Sequence, residues 1–245
     1  MTGATRRTAM LVATVVVVAL LVAGGFGLWY LFMRPAGPAA LDAASTALPS
    51  SLPSSAPLSG GIDGTWTVDS SVGSAADFSD KTFVGYRVQE ELAGFGANTA
   101  VGRTSGVTGS LTIAGTQISA VTIEADLTGL TSNDSNRDRQ LGNQGIQTNQ
   151  FPTATFKLTA PIDLGSVPTD GQQISVTGKG DLTLHGVTKS VEIPLKATLS
   201  GSIIVVRGSL PIAFADYGID KPNSFKVLSI DDTGTMELQL FLTKS

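Results

Sequence analysis

Two hydrophobic patterns divide the chain. From Ala9 to Met33 the residues AMLVATVVVVALLVAGGFGLWYLFM run for 25 positions without a charge. As a helix they would span about 37 Å, enough for a hydrocarbon core of about 30 Å. A cleaved signal peptide has an apolar core of only about 7–15 residues, so the length predicts an uncleaved transmembrane helix over 9–33. Arg6, Arg7 and the N-terminal amine precede it and Arg34 follows it. That bias places residues 1–8 in the cytoplasm and the rest of the chain outside, a single-pass protein of the cell membrane. Residues 34–60 then change character: Pro35, Pro38, Pro49, Pro53 and Pro57 alternate with Ala and Ser, and the only charges are Arg34 and Asp42. Such a stretch buries too little surface to offset its conformational entropy, which predicts an extended linker reaching up to roughly 80 Å.

From residue 61 the period becomes two. Val121, Ile123, Ala125 and Leu127 alternate with Thr122, Glu124, Asp126 and Thr128. The same beat runs through Ile174 to Leu184, through Val187 to Leu199, and through Met236, Leu238, Leu240 and Leu242 against Glu237, Gln239, Phe241 and Thr243. Further candidates are 64–69, 81–89, 106–114, 153–160 and 203–214. Alternation of this kind means antiparallel strands with one dry and one wet face. About eight or nine of them predict an all-β domain over 61–245, a barrel or a sandwich. Gly178, Gly180 and Gly208 suit the bends of a closed barrel. Pro194 and Pro211 must each mark an edge, a bulge or a strand end. Only Thr131–Gln150 breaks the beat; Ser132, Asn133 and Asp134 are good N-caps, predicting one short helix around 132–141 and a loop into the strand opened by Phe151-Pro152.

Composition narrows the chemistry. The chain has no cysteine and one histidine, which removes disulfides, thiol catalysis, a lipid-modified cysteine and any site needing two imidazoles. Residues 61–245 hold 13 basic and 19 acidic side chains, net −6, which speaks against nucleic acid and disfavours docking on an anionic membrane surface. His185 sits in Leu184-His185-Gly186-Val187, a tight turn between strands, and is read as structural, bonded to backbone near that turn. Gly102-Arg103-Thr104-Ser105-Gly106 has its serine one place late for a nucleophile elbow. Asp134, Asn136 and Asp138 open like a calcium loop, but Arg139 and Gly145 stand where glycine and glutamate are needed, so no metal is expected. Arg137 and Arg139 are expected to tie the helix to the barrel by ion pairs, and Asp231-Asp232 to form a hairpin turn. With no enzymatic signature intact, the barrel interior is the candidate site. The aromatic residues Phe83, Tyr86, Phe95, Phe151, Phe156 and Phe214, with Leu182 and Leu184, are the candidate lumen residues. Small residues such as Ala125, Gly178, Gly180 and Ala197 either leave a lumen or admit larger neighbours.

Several segments in order resemble one family. Gly64-Thr65-Trp66-Thr67-Val68-Asp69, Asn136-Arg137-Asp138-Arg139-Gln140-Leu141, Gln150-Phe151-Pro152-Thr153-Ala154-Thr155-Phe156, the hairpin from Val176 to Lys189 and Asp216-Tyr217-Gly218-Ile219 are similar to the YceI-like, polyisoprenoid-binding family. The resemblance covers roughly 64–244 and implies an extended, lipocalin-like antiparallel barrel in an exported protein. It implies non-catalytic binding, sequestration or transport of a long-chain isoprenoid or similar amphiphilic lipid, with no cofactor. A homodimer is left open. The chain departs from the family pattern at Ser70-Ser71 and at Gln140, where relatives often carry histidine, which bears on head-group selection. The competing expectation is a ligand-free extracytoplasmic interaction or stress-protection domain whose barrel is filled by its own side chains.

Overall fold

The computed structural model describes residues 14–22, 24–25, 40–41, 58, 60–73, 78 and 81–245. The chain forms two units, 1–36 and 37–245. In the first, residues 14–22 and 24–25 are helical. The rest of the 9–33 segment and residues 1–8 lie outside the described residues. Among the described residues no helix is long and apolar enough to cross a membrane. Most of the 34–60 stretch also lies outside them. At two described points it touches the barrel: Leu41 N–H donates to Glu237 Oε1 at 3.2 Å, and Leu58 packs against the main core.

The second unit is all-β. Its strands are β1 Gly64–Val68, β2 Phe83–Leu92, β3 Gly96–Thr104, β4 Val107–Ala114, β5 Gln117–Asp126, β6 Thr131–Ser132, β7 Thr153–Leu158, β8 Ile162–Asp163, β9 Gln173–Leu184, β10 Val187–Ser200, β11 Ile203–Ala213, β12 Val227–Ile230 and β13 Thr233–Lys244. Its described residues also form one helix, α1 Ser135–Leu141, and two short 3-10 turns at Leu127–Gly129 and Phe214–Tyr217. Eight strands close an antiparallel barrel in the order β1-β4-β5-β7-β9-β10-β11-β13, with β13 pairing back to β1. Closure leaves no free edge around this ring. β13 is long enough to serve two neighbours on one side: Thr235–Gln239 pairs with β2 and Leu242–Lys244 with β1. The sheet therefore forks, and β2, β3 and β6 extend it beyond the ring.

Local chemistry explains the joints. His185 (φ 51°) and Gly186 (φ 74°) both take the left-handed conformation, the requirement of a two-residue type I′ turn whose twist matches its strands. Pro194 and Pro211 stand outside the β10–β11 ladder, which runs only from Leu195–Gly208 to Ser200–Ile203, so a missing N–H on that side removes no ladder bond. Asp134 caps α1, accepting from the N–H of Asn136 and Arg137. Asp231-Asp232 is not a hairpin. β12 and β13 both pair with β2, at Ile230–Glu90 and Thr235–Arg87, so the two residues are a jog between strands laid end to end.

The main core contains Trp66, Leu111, Ile113, Ala125, Leu127, Leu240 and Leu242. Trp66 is fully buried and its indole N–H donates to Ile62 O at 2.8 Å. The expectation of one wet face fails on β13. Glu237, Gln239 and Phe241 are at least as buried as the leucines between them, because Arg87 and Arg103 lie against Glu237, the Lys81–Thr82 chain bonds to Gln239 and Phe241, and Val72, Ile203 and Val205 pack on Phe241. Buried polar groups there find partners. Glu237 accepts from Arg87 Nε at 2.9 Å and Arg103 Nη2 at 3.2 Å. Gln239 accepts from Arg207 Nε at 2.7 Å and donates to Lys81 O at 2.9 Å.

Candidate functional site

Inside the ring the side chains do not fill the space. An apolar cavity of about 110 Å³ remains, several times what one water molecule requires. β13 contributes Met236, Leu238, Leu240 and Leu242 to its wall; β5 contributes Val121, Ile123 and Ala125; β10 contributes Ile193, Leu195 and Ala197; β9 contributes Ile174, Val176 and Leu182. Val84, Leu111, Ile118, Ala154, Phe156, Ile162 and Val206 complete the apolar wall, and Thr155 is its one polar residue. The lining sets are the alternating ones of the sequence. Each strand turns every second side chain inward, so a closed ring of such strands yields an aliphatic tube. The small residues decide how wide it stays. Ala125, Ala154 and Ala197 line the wall without crossing it, whereas the space above Gly180 is taken: a Cβ there would meet Phe156 Cζ at 2.5 Å and Lys157 O at 2.4 Å.

Of the eight residues expected in the lumen, the structure places two in the wall, Phe156 and Leu182. Phe83 belongs to the outer face. Its neighbour Val84 points inward, while Phe83 carries the Arg103 guanidinium at 4.2 Å from its ring and meets Phe78 edge-on at 6.0 Å. Phe95 is 48% exposed at the turn between β2 and β3. Phe151 packs on the imidazole of His185, centroids 4.2 Å apart. Phe214 and Leu184 pack with Ile212, Tyr217 and Ile219 beside the tube rather than in its wall. Tyr86 points to the same side as Val84, but its ring lies over Gly102, where a Cβ would meet it at 2.4 Å. Most of the aromatic residues lie outside the wall because ring size is not what decides inward direction. The signal was already in the period-two sets of β5, β9, β10 and β13, once their parity is fixed.

A polar collar stands at the α1 end. Arg137 of α1 forms an ion pair with the buried Glu90 of β2, and Asn98 Nδ2 donates to Glu90 Oε1 at 2.6 Å. This is the expected tie between helix and barrel, carried by Arg137; Arg139 instead donates within its own helix to Asn136. Asp138 accepts from Ser132 Oγ at 2.6 Å. Tyr86 brings into this region a buried hydroxyl that has no hydrogen-bond partner among the described residues; burial raises its pKa, partly offset by Arg137, so the phenol stays protonated. His185 Nδ1 lies 3.0 Å from Tyr217 O. Because the carbonyl accepts, Nδ1 donates, and the bond ties the hairpin to the 3-10 turn at 214–217 rather than to backbone of its own turn. Among the described residues no group of acidic or imidazole side chains could hold a metal ion.

Residues 66–242 match the sequence profile of the YceI-like domain. The chain belongs to the YceI-like family. Among solved structures, a polyisoprenoid-binding domain from Saccharophagus degradans, implicated in plant cell wall breakdown, superposes with a TM-score of 0.56 at 19% identity, covering 74% of this chain and 99% of that one. At that identity the likeness establishes the shared fold. Protein YceI of Shigella flexneri is 33% identical over 124 residues, 50% of this chain and 60% of the relative. A UPF0312 protein of Vibrio cholerae is 40% identical over 76 residues, 31% of this chain and 36% of the relative. The chain thus spans from about a third to three fifths of the length of these curated relatives. The YceI-like match begins within β1 and ends within β13, so it reaches every strand of the closed ring.

Proposed function

We propose that this YceI-like barrel binds a long-chain isoprenoid or similar amphiphilic lipid, holding the tail in its lumen without covalent chemistry. One observation carries the reading: the cavity wall is apolar throughout except for Thr155. Water in such a space lacks the two to four polar partners it needs, whereas each buried methylene contributes about 0.8 kcal/mol. A tail of a few isoprene units would therefore bind without polar anchors. The polyisoprenoid ligand named for the Saccharophagus degradans domain supports this choice of lipid. The apolar length of residues 9–33 supports a tether to the outer face of the cytoplasmic membrane, with 34–60 as the connection.

Organic extraction of the gently purified chain, followed by mass spectrometry, is expected to release a polyprenyl lipid, and the emptied protein to take up added polyprenol. Leu182→Glu puts a carboxylate into the wall and should abolish uptake. Absence of a co-purifying lipid together with no uptake by the unsubstituted chain would overturn the reading.

A further inference from the structure

Large apolar side chains on the outside of the barrel unit are few, and they are not scattered. Among its described residues Phe95, Val167, Phe225 and Leu228 are exposed, and three of the four share one place. Phe95 stands on the turn between β2 and β3, where its N–H donates to Leu92 O at 3.0 Å; Phe225 stands on the turn into β12, where Val227 N–H donates to Ser224 O at 3.0 Å. The two turns are joined, since Ala93 N–H donates to Lys226 O at 2.9 Å and Val227 pairs with Leu92. Leu228 is the extra residue of a β-bulge: Val227 stands opposite Leu92 and Ser229 opposite Glu91. A bulge breaks the in–out alternation and re-aims a side chain. The outcome is exposure of 89% for Phe225, 64% for Leu228 and 48% for Phe95.

Charge and area say what covers this tip. Residues 92–100 and 222–230 carry a single charge, Lys226, whose Nζ lies 5.7 Å from the centre of the Phe225 ring. Glu91 borders the first stretch, and Asp220-Lys221 and Asp231 border the second. The tip is thus an acid-free, apolar, singly cationic point on a domain of net −6. Aromatic side chains bury about 150–250 Å² each, so the three together fall short of the about 800 Å² per partner of a specific protein interface. A bilayer imposes no such minimum and no complementary shape. Phenyl and isobutyl groups enter the boundary between head groups and acyl chains, while a lysine reaches back to the phosphates.

We propose that Phe95, Phe225 and Leu228 form a membrane-docking tip that inserts into a phospholipid bilayer with Lys226 at the level of the phosphates. Docking here works by insertion, not by net charge. The acidic domain is repelled by anionic surfaces, so zwitterionic lipid suffices and added salt has little effect. The proposal is independent of what the lumen holds.

The absence of native cysteine makes the test direct. The full chain carrying Asn223→Cys, labelled with an environment-sensitive fluorophore, is reconstituted in phosphatidylcholine vesicles beside a Ser166→Cys control. Ser166 lies in the loop between β8 and β9, which bonds to the β10 end at Leu199 and so sits at the opposite end of the barrel. The label at 223 should shift to shorter wavelength and lose most of its iodide quenching relative to 166. Both effects should vanish when Phe95, Phe225 and Leu228 are replaced by serine. These side chains are exposed, so the triple variant should keep its circular dichroism and melting temperature. Equal quenching at 223 and 166 in vesicles would overturn the proposal. So would protection at 223 that rises with protein-to-lipid ratio, which would assign the tip to a second copy of the chain.

Discussion

Glu237 shows how a single residue carries part of the barrel wall. It lies on the strand that closes the ring, its side chain is 3% exposed, and it holds the guanidinium groups of Arg87 and Arg103, the latter 4% exposed. Burying a carboxylate there is tolerable only because two guanidinium groups meet it. Glu237→Ala removes a carboxylate from one buried and one half-buried guanidinium and should cost about 3–5 kcal/mol, read as a fall in the denaturation midpoint with an unchanged slope. Lys221→Ala is the control. Its bond to Asp232 is exposed on both sides, and its loss should change stability by no more than about 0–1 kcal/mol. Nothing in the sequence separates these two pairs. Glu237 reads as the wet partner in an alternating strand, and its burial goes with Arg103 of β3, 134 positions away, lying against it.

At the scale of elements, α1 is the clearest case of local chemistry placing a functional part. Seven residues are too few to hold a helix by propagation alone, so its cap matters. Asp134 supplies that cap, and Asp134→Ala should cost about 0.5–2 kcal/mol, seen as faster hydrogen exchange over 135–141. If α1 and the Arg137–Glu90 pair close one end of the tube, the same change should also speed release of a bound polyprenol. The helix, its cap and the following strand were legible in the sequence to within about three residues, because capping residues and loss of the period-two beat are local signals. β3 was not legible. Gly96–Thr104 lacks clean alternation, and it is a strand because β2 lies beside it, in register from Val84–Thr104 to Leu92–Gly96.

The barrel unit as a whole is a ring with an apolar bore, and its proposed capacity depends on the small residues in the wall. Ala154 and Ala197 both face the cavity. Replacing both by leucine should fill it at little cost in stability, because the added methyl groups enter empty space instead of a packed core. Polyprenol uptake should be lost while the melting temperature is kept, and uptake equal to that of the unsubstituted chain would show that the tail lies elsewhere. This variant separates a filled barrel from an unfolded one, which a charged substitution such as Leu182→Glu does not.

Closure into a ring instead of a sandwich was decided by β13 pairing back to β1, but residue order alone was enough to establish about eight or nine antiparallel strands, one polar helix and a tight turn at His185-Gly186. Each of these follows from neighbours within a few positions: side-chain alternation, capping groups, and the backbone freedom of glycine. Direction relative to the axis belongs to the fold. Phe83 and Val84 are adjacent and equally hydrophobic, yet one lies outside under Arg103 and the other lines the bore, because pairing with Gln239 and Leu238 sets the parity of β2. The bulge that turns Leu228 outward is decided in the same way, by register against a strand whose sequence lies far upstream.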